Sequence, residues 1–405
     1  SLPTRRSFAR IGLSMYLLPL LRCAFGFLCL GLLVTASLAA ELRPDVEAAL
    51  QRAEGNRSQL QAALDRVPDD QREGMQFLIA HMPKRDLGVL TADFLLEHVH
   101  YAYRSWNESN WKDAVPKHVF LNNILPYANV TEQRDPWRKD FFEQFTPLVK
   151  DVTSPGEAAA LLNQKIFPLL KVKYSTKRQR ADQGPKQSIE TGLASCTGLS
   201  VLLIDACRAV GVPARFVGTP LWSDRSGNHS WVEVWDDGWH FTGAAEPSGM
   251  DLDKAWFVGR ASGAQRDHRL HAIYAVSYKK TPIKFPMVWA RGADDVYAVN
   301  VTDRYVERAA PLPEDHVRIM FRVVQQPGGE RATASIMVKD RNGQVVFEGT
   351  SKDERFDAND HLTAVLPVHE HFDVLVQQED TKVERTIDTH TPDVTITIPL
   401  SQNNQ

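Results

Sequence analysis

The sequence runs to 405 residues, 43% apolar and 24% charged, which is more chain than one ordinary domain needs and enough apolar material for two or three cores. Its formal net charge of −3 gives no electrostatic reason to expect nucleic acid, and no Lys/Arg run interleaved with aromatics suggests otherwise. The four cysteines, Cys23, Cys29, Cys196 and Cys207, give no disulfide framework.

Residues 1–40 read as an export signal: Arg5, Arg6 and Arg10 precede an apolar stretch from about Leu17 to Val34, and "ASLAA" supplies small residues for cleavage before Glu41. "TRRSFAR" also resembles a twin-arginine signal, although Arg22 interrupts the apolar run and ordinary secretion fits better. The expectation is an exported bacterial protein, periplasmic or extracellular, without a stable membrane span after cleavage.

From residue 41 to 150 the pattern is helical. "VEAALQRA", "LQAALDRV", "GMQFLIAHM" and "ADFLLEHVHYAY" each repeat apolar residues at three and four, separated by Pro68, Pro83 and Pro116. This predicts an all-α N-terminal domain whose aromatics, Trp106, Trp111, Tyr127, Trp137, Phe141 and Phe142, pack as core. His98 and His100 face different ways on one helix, which argues against a metal site.

Residues 151–305 mix helices and strands, as one α+β domain would. "GEAAALLNQKIFPLL" is helical, a polar basic loop follows, and "SCTGLSVLLIDACRAVGVPAR" (Ser195 to Arg215) places Cys196 at a helix start. There the unpaired N–H groups and the helix dipole favour negative charge, on a thiolate or on an oxyanion. Cys207 on the same helix stands roughly 16 Å away at about 1.5 Å per residue, too far for a disulfide. "ARFVGTPLW", "HSWVEVW" and "GWHFTGAA" read as strands, the last two joined by a turn around Asp236-Asp237-Gly238. Alternation puts His229, Trp231, Glu233 and Trp235 on one strand face.

After a linker at 306–316, residues 317–400 turn to alternating strands, which predicts a C-terminal β-sandwich. His369 and His371 would share a strand face, and an exposed edge is the expected reading. "VKDRNGQVVFEG" weakly resembles the hairpin of transthyretin-like or carboxypeptidase-regulatory-like accessory domains. A sandwich of this kind would contact a cell surface, a glycan or another protein.

A cysteine opening a helix that closes in "RAVGVPAR", followed by "NHSWVEVWDDGWHF", resembles the transglutaminase-like superfamily, which also includes peptide-N-glycanases and bacterial cysteine proteases. The resemblance spans roughly Tyr174 to Pro247 and implies a papain-like α+β core. It matches Cys196 to the family nucleophile and His229 to the family histidine. It also implies acyl transfer from a protein or peptide amide through a thioester, to water or to an amine, with no metal or organic cofactor.

The family's third residue, an Asp about four positions after the tryptophan of the next strand, falls here on Gly243. Glu246 is the nearest carboxylate. A two-residue turn would set it opposite His229, as the group that orients the imidazole, whereas a three-residue turn would bring Ala245 there. Gln183 or Gln187 could supply a side-chain oxyanion donor, Trp222 and Trp231 could wall the cleft, and Asn228-His229-Ser230 reads as a glycosylation acceptor. The vacant carboxylate place leaves an alternative, a catalytically impaired binding or cell-envelope structural protein of the same fold.

Overall fold

The computed structural model describes residues 42–308 and 312–401. The expected export signal lies outside the described residues, as does the middle of the expected linker. The described residues make one compact unit. Among the described residues no helix is long and apolar enough to cross a membrane.

The lead-in is built of α1 (Pro44–Arg52), α2 (Arg57–Arg66), α3 (Arg72–His81), α4 (Lys84–Leu87), α5 (Ala92–Glu108), α6 (Lys117–Asn123) and α7 (Arg138–Val149). Proline punctuates it as the sequence suggests, Pro83 and Pro116 at the caps of α4 and α6 and Pro68 before a short 3-10 turn. Then come α8 (Pro155–Leu170), β1 (Lys173–Tyr174), α9 (Pro185–Thr191), β2 (Leu193–Ala194) and α10 (Cys196–Ala209). Helix α9 was not legible, because its polar, proline-opened sequence has no apolar stripe.

A six-stranded sheet follows, made of β3 (Ala214–Thr219), β4 (His229–Trp235), β5 (Trp239–Thr242), β6 (Tyr274–Ser277), β7 (Ile283–Lys284) and β8 (Tyr297–Asn300), in the order β5-β4-β3-β6-β8-β7. Between β5 and β6 lies α11 (Val258–Ala261), and α12 (Thr302–Val306) follows β8. Strand alternation sorts the two faces. Ala214, Phe216, Val232 and Val234 join the core that holds α10, while Val217, Trp231 and Phe241 join a second core with Phe257 and Tyr305. The lead-in helices share the first of these cores with the central segment, so the apolar face of α5 and the body of α10 are buried together.

Two buried guanidiniums fasten that junction. Arg208, near the end of α10, donates to the carbonyls of Asn123, Ala214, Pro126 and Ala128. Arg138 donates to those of Ile124, Leu125, Pro126 and Arg208. Burial pulls their pKa values down, to about 10 for Arg208 and about 9 for Arg138. His98 accepts from Arg138 Nε through Nδ1, and burial and the Arg138 charge hold it neutral. Cys207 is buried and both described cysteines are free thiols.

The C-terminal strands are β9 (His316–Val324), β10 (Ser335–Lys339), β11 (Val345–Thr350), β12 (Leu362–Pro367), β13 (His371–Gln378), β14 (Thr381–Asp388) and β15 (Val394–Pro399). They form a sheet β11-β10-β13-β14 and a sheet β12-β9-β15 around a core that includes Ile319, Phe321, Val338, Val374 and Ile398. Strand β14 escapes the sequence pattern because it is a mostly exposed edge rich in charge. His369 precedes β13 in a left-handed conformation, so it does not share a strand face with His371.

Replacing Arg208 by Leu should strip the donors from buried carbonyls and leave Asp205 in the core without that guanidinium. Urea unfolding is expected to show a loss of about 3 kcal/mol or more, whereas Lys177→Ala, which breaks an exposed pair with Glu330, should leave the midpoint unchanged.

Candidate active site

Cys196 is the first residue of α10, and Ser195 caps the helix. Ser195 Oγ accepts from Gly198 N at 3.2 Å and donates to Ala181 O at 2.6 Å, which fixes the direction in which the helix starts. The N–H groups of Cys196 and Thr197 then have no acceptor within the helix, and they sit beside the half-buried thiol. Thr197 Oγ1 and Ser230 Oγ are 3.1 Å apart, so the helix start is stapled to the strand that carries His229.

His229 opens β4 and is buried among rings. Trp222, Trp231, Trp256 and Phe257 have centroids 6.1, 5.8, 4.8 and 5.1 Å from the imidazole. The expected strand face is present: Trp231 Nε1 donates to Tyr305 OH at 2.7 Å, and Glu233 on the same face is neutralised by Arg215 and Arg304. Trp222 and Trp231 back the imidazole instead of walling the cleft, a role that falls to Trp256.

A carboxylate from the C-terminal segment stands beside His229 Nδ1. Asp357, in the loop between β11 and β12, places Oδ2 3.6 Å from Nδ1, and both side chains are buried. Cys196 Sγ, a ring nitrogen of His229 and a carboxylate oxygen of Asp357 all lie within 4.8 Å of one another. Burial opposes charge on His229, but the adjacent Asp357 and Cys196 outweigh it and raise its pKa well above the ordinary histidine value. Burial likewise disfavours the Asp357 anion, and His229 together with donors from Asn359 overrides that and lowers its pKa.

Glu246 is not the group beside Nδ1. The hairpin pairs Trp235 with Trp239 and Val234 with His240, a three-residue turn in which Asp237 and Gly238 take positive φ. Continued, that register sets Ala245 opposite His229, and the ladder ends before it gets there, at Val232 and Thr242. Glu246 Oε2 instead accepts from Trp256 Nε1 at 2.9 Å. The carboxylate also fills the space that a side chain at 243 would need, since a Cβ on Gly243 would collide with it. Burial raises its pKa to about 7, with nearby Asp357 adding to the shift and His229 opposing it.

The glutamines expected as oxyanion donors are engaged elsewhere. Gln183 Nε2 donates to Leu193 O at 2.8 Å and its Oε1 accepts from Gln179 N, while Gln187 Nε2 donates to Gln179 Oε1. Both hold the loop before α10. A cleft of about 730 Å³ is walled by Leu199, Tyr174, Glu246, Trp256, Phe356 and Asp357, so that of the three gathered groups it is Asp357 that lines it. Asp357 carried no motif. Its only sequence signal was the turn-forming "DAND", and nothing there connects it to a histidine 128 positions earlier.

A thiol at a helix start, an imidazole and a carboxylate gathered in a dry corner beside a cleft are the groups of cysteine-dependent acyl transfer. The family comparison agrees: residues 144–243 match the Transglutaminase-like superfamily. Among solved structures it is similar to a candidate cysteine protease from Cytophaga hutchinsonii, at 16% identity and TM-score 0.24, over 27% of this chain and 38% of that one. It is also similar to red sea bream transglutaminase, at 11% identity and TM-score 0.26, over 63% of this chain and 58% of that one. The chain thus spans well under two thirds of either protein's length. No curated protein matches the sequence.

The Glu246 carboxyl gives a stability signature. Its folded pKa of about 7 lies above the ordinary value of 4.5, so the protonated form favours folding at low pH, and that stabilisation is lost as pH rises through 7. Between pH 5 and 8 the wild type should lose about 3 kcal/mol relative to Glu246→Gln, whose amide oxygen can still accept from Trp256; paired urea titrations across that range measure the difference.

Proposed function

We propose that this protein is an exported cysteine-dependent enzyme that transfers an acyl group from a protein or peptide amide through a thioester. The observation that carries the reading is the convergence of Cys196, His229 and Asp357 within 4.8 Å. Cys196 Sγ attacks the amide carbonyl carbon, and the charge that develops on the carbonyl oxygen is received by N–H groups at the start of α10. His229 gives its proton to the departing amine nitrogen as the C–N bond breaks, leaving the acyl group on sulfur. Water or a second amine then attacks the thioester while His229 accepts its proton, and sulfur departs.

Asp357 holds the imidazole in orientation and favours its protonated form. It supplies the carboxylate whose absence at Gly243 motivated the impaired-enzyme reading, and so favours an active enzyme. The lead-in at 41–150 is read as an all-α domain that backs α10, and residues 317–400 as a β-sandwich that contributes one wall of the cleft besides any surface or glycan contact. Export rests on the pattern of residues 1–40. The choice between hydrolysis and transamidation turns on which nucleophile reaches the thioester. Casein cleavage, set against incorporation of a labelled amine into glutamine peptides, distinguishes the two.

Cys196→Ala should lower either activity by about a thousandfold or more while the protein melts as before; undiminished turnover in that variant would overturn the assignment. Asp357→Asn should shift the high-pH limb of the rate profile to lower pH. The pKa of His229 lies above its ordinary value because of that carboxylate, and without it the imidazole loses its proton earlier as pH rises.

A further inference from the structure

The loop that carries Asp357 reaches His229 from a distant part of the chain, and the two oxygens of its carboxylate have different partners. Oδ1 accepts from the Asn359 backbone N–H at 2.9 Å and from Asn359 Nδ2 at 3.2 Å. Oδ2 receives no hydrogen bond and faces His229 Nδ1. The same Asn359 Nδ2 donates to the carbonyl of Asn228 at 2.9 Å, the residue immediately before His229. One side-chain amide therefore touches both the carboxylate and the backbone that leads into the imidazole.

The turn before β4 is shaped to admit that amide. A Cβ on Gly227 would stand 2.6 Å from Asn359 Oδ1, and the residue adopts φ +150°, so side chains are excluded there on two counts. Other ties hold the loop without touching the Asp357 carboxylate: Tyr174 OH accepts from Ala358 N at 2.8 Å, Arg331 donates to the carbonyls of Phe356 and Asp357, and Lys352 Nζ pairs with the Asp360 carboxylate. They place the loop without choosing the rotamer of Asp357. That choice is left to Asn359.

We propose that Asn359 is a positioning residue that holds the Asp357 carboxylate on His229, and that the C-terminal strand segment is thereby an integral part of the active site. The inference rests on the reading of Cys196 and His229 as the reacting pair. With Oδ1 taken by two donors, Oδ2 is the oxygen left to face the imidazole. A carboxylate released from Asn359 can rotate toward the cleft, which Asp357 also lines, and its hold on the ring weakens steeply with distance.

The test uses the full chain carrying Asn359→Ala or Asn359→Leu, each of which removes the side-chain donor without adding charge. His229 titration is followed by NMR in a Cys196→Ala background, and kcat and KM are measured on a peptide amide with Cys196 present. Both variants are expected to melt cooperatively and to titrate His229 lower by about one pH unit or more. kcat should fall about tenfold or more, with KM within about twofold. A folded Asn359→Ala and a folded Asn359→Leu that titrate His229 at the wild-type pH would overturn the proposal. A shifted His229 in the variants, together with a wild type that turns over no amide, would uphold the positioning role and sink the enzymatic reading.

Discussion

The pairing of His229 with Asp357 is the constraint on which the functional half of this structure depends. Two buried groups of opposite charge each pay several kcal/mol in lost hydration, and each is tolerable only while the other is near. Because the aspartate belongs to the loop between β11 and β12 and the histidine to β4, that mutual dependence links the C-terminal strands to the central sheet. The aromatic rings around His229 deepen the effect by excluding water from the site.

The placement of Cys196 has a different origin. Ser195 defines where α10 begins, and the two guanidiniums of Arg138 and Arg208 lock its far end to the carbonyls of the loop after α6. The helix is thus pinned at both ends, which turns a half-buried thiol into a fixed point against which His229 can be aligned. The lead-in helices serve this indirectly, since they bury the side of α10 that faces away from the sheet.

Gly243 and Glu246 show why the carboxylate beside His229 comes from elsewhere in the chain. The position after the hairpin holds no side chain, and its space is taken by the Glu246 carboxylate, tied to Trp256 and raised toward neutrality by burial. The charge that the imidazole needs arrives instead from another part of the chain. Glu246 is then free to face the cleft as a group that changes protonation near neutral pH.

Much of this was legible from sequence because it is local. The helical period marked α10 and most of the lead-in, Ser195 and Cys196 marked the helix start, and alternation from His229 to Trp235 gave the correct strand face. The hairpin was legible but its register was not, because Asp236-Asp237-Gly238 suits either turn length and one residue decides which side chain stands opposite His229. Helix α9 and strand β14 lacked an apolar period. Asp357 was beyond reach for a deeper reason: its partner is chosen by how the C-terminal strands dock, and no local pattern encodes a contact made across 128 residues. The sequence by itself determined the candidate cysteine, the histidine and the elements that carry them; only the tertiary structure decided which carboxylate stands beside that histidine, because buried charges pair by proximity in space.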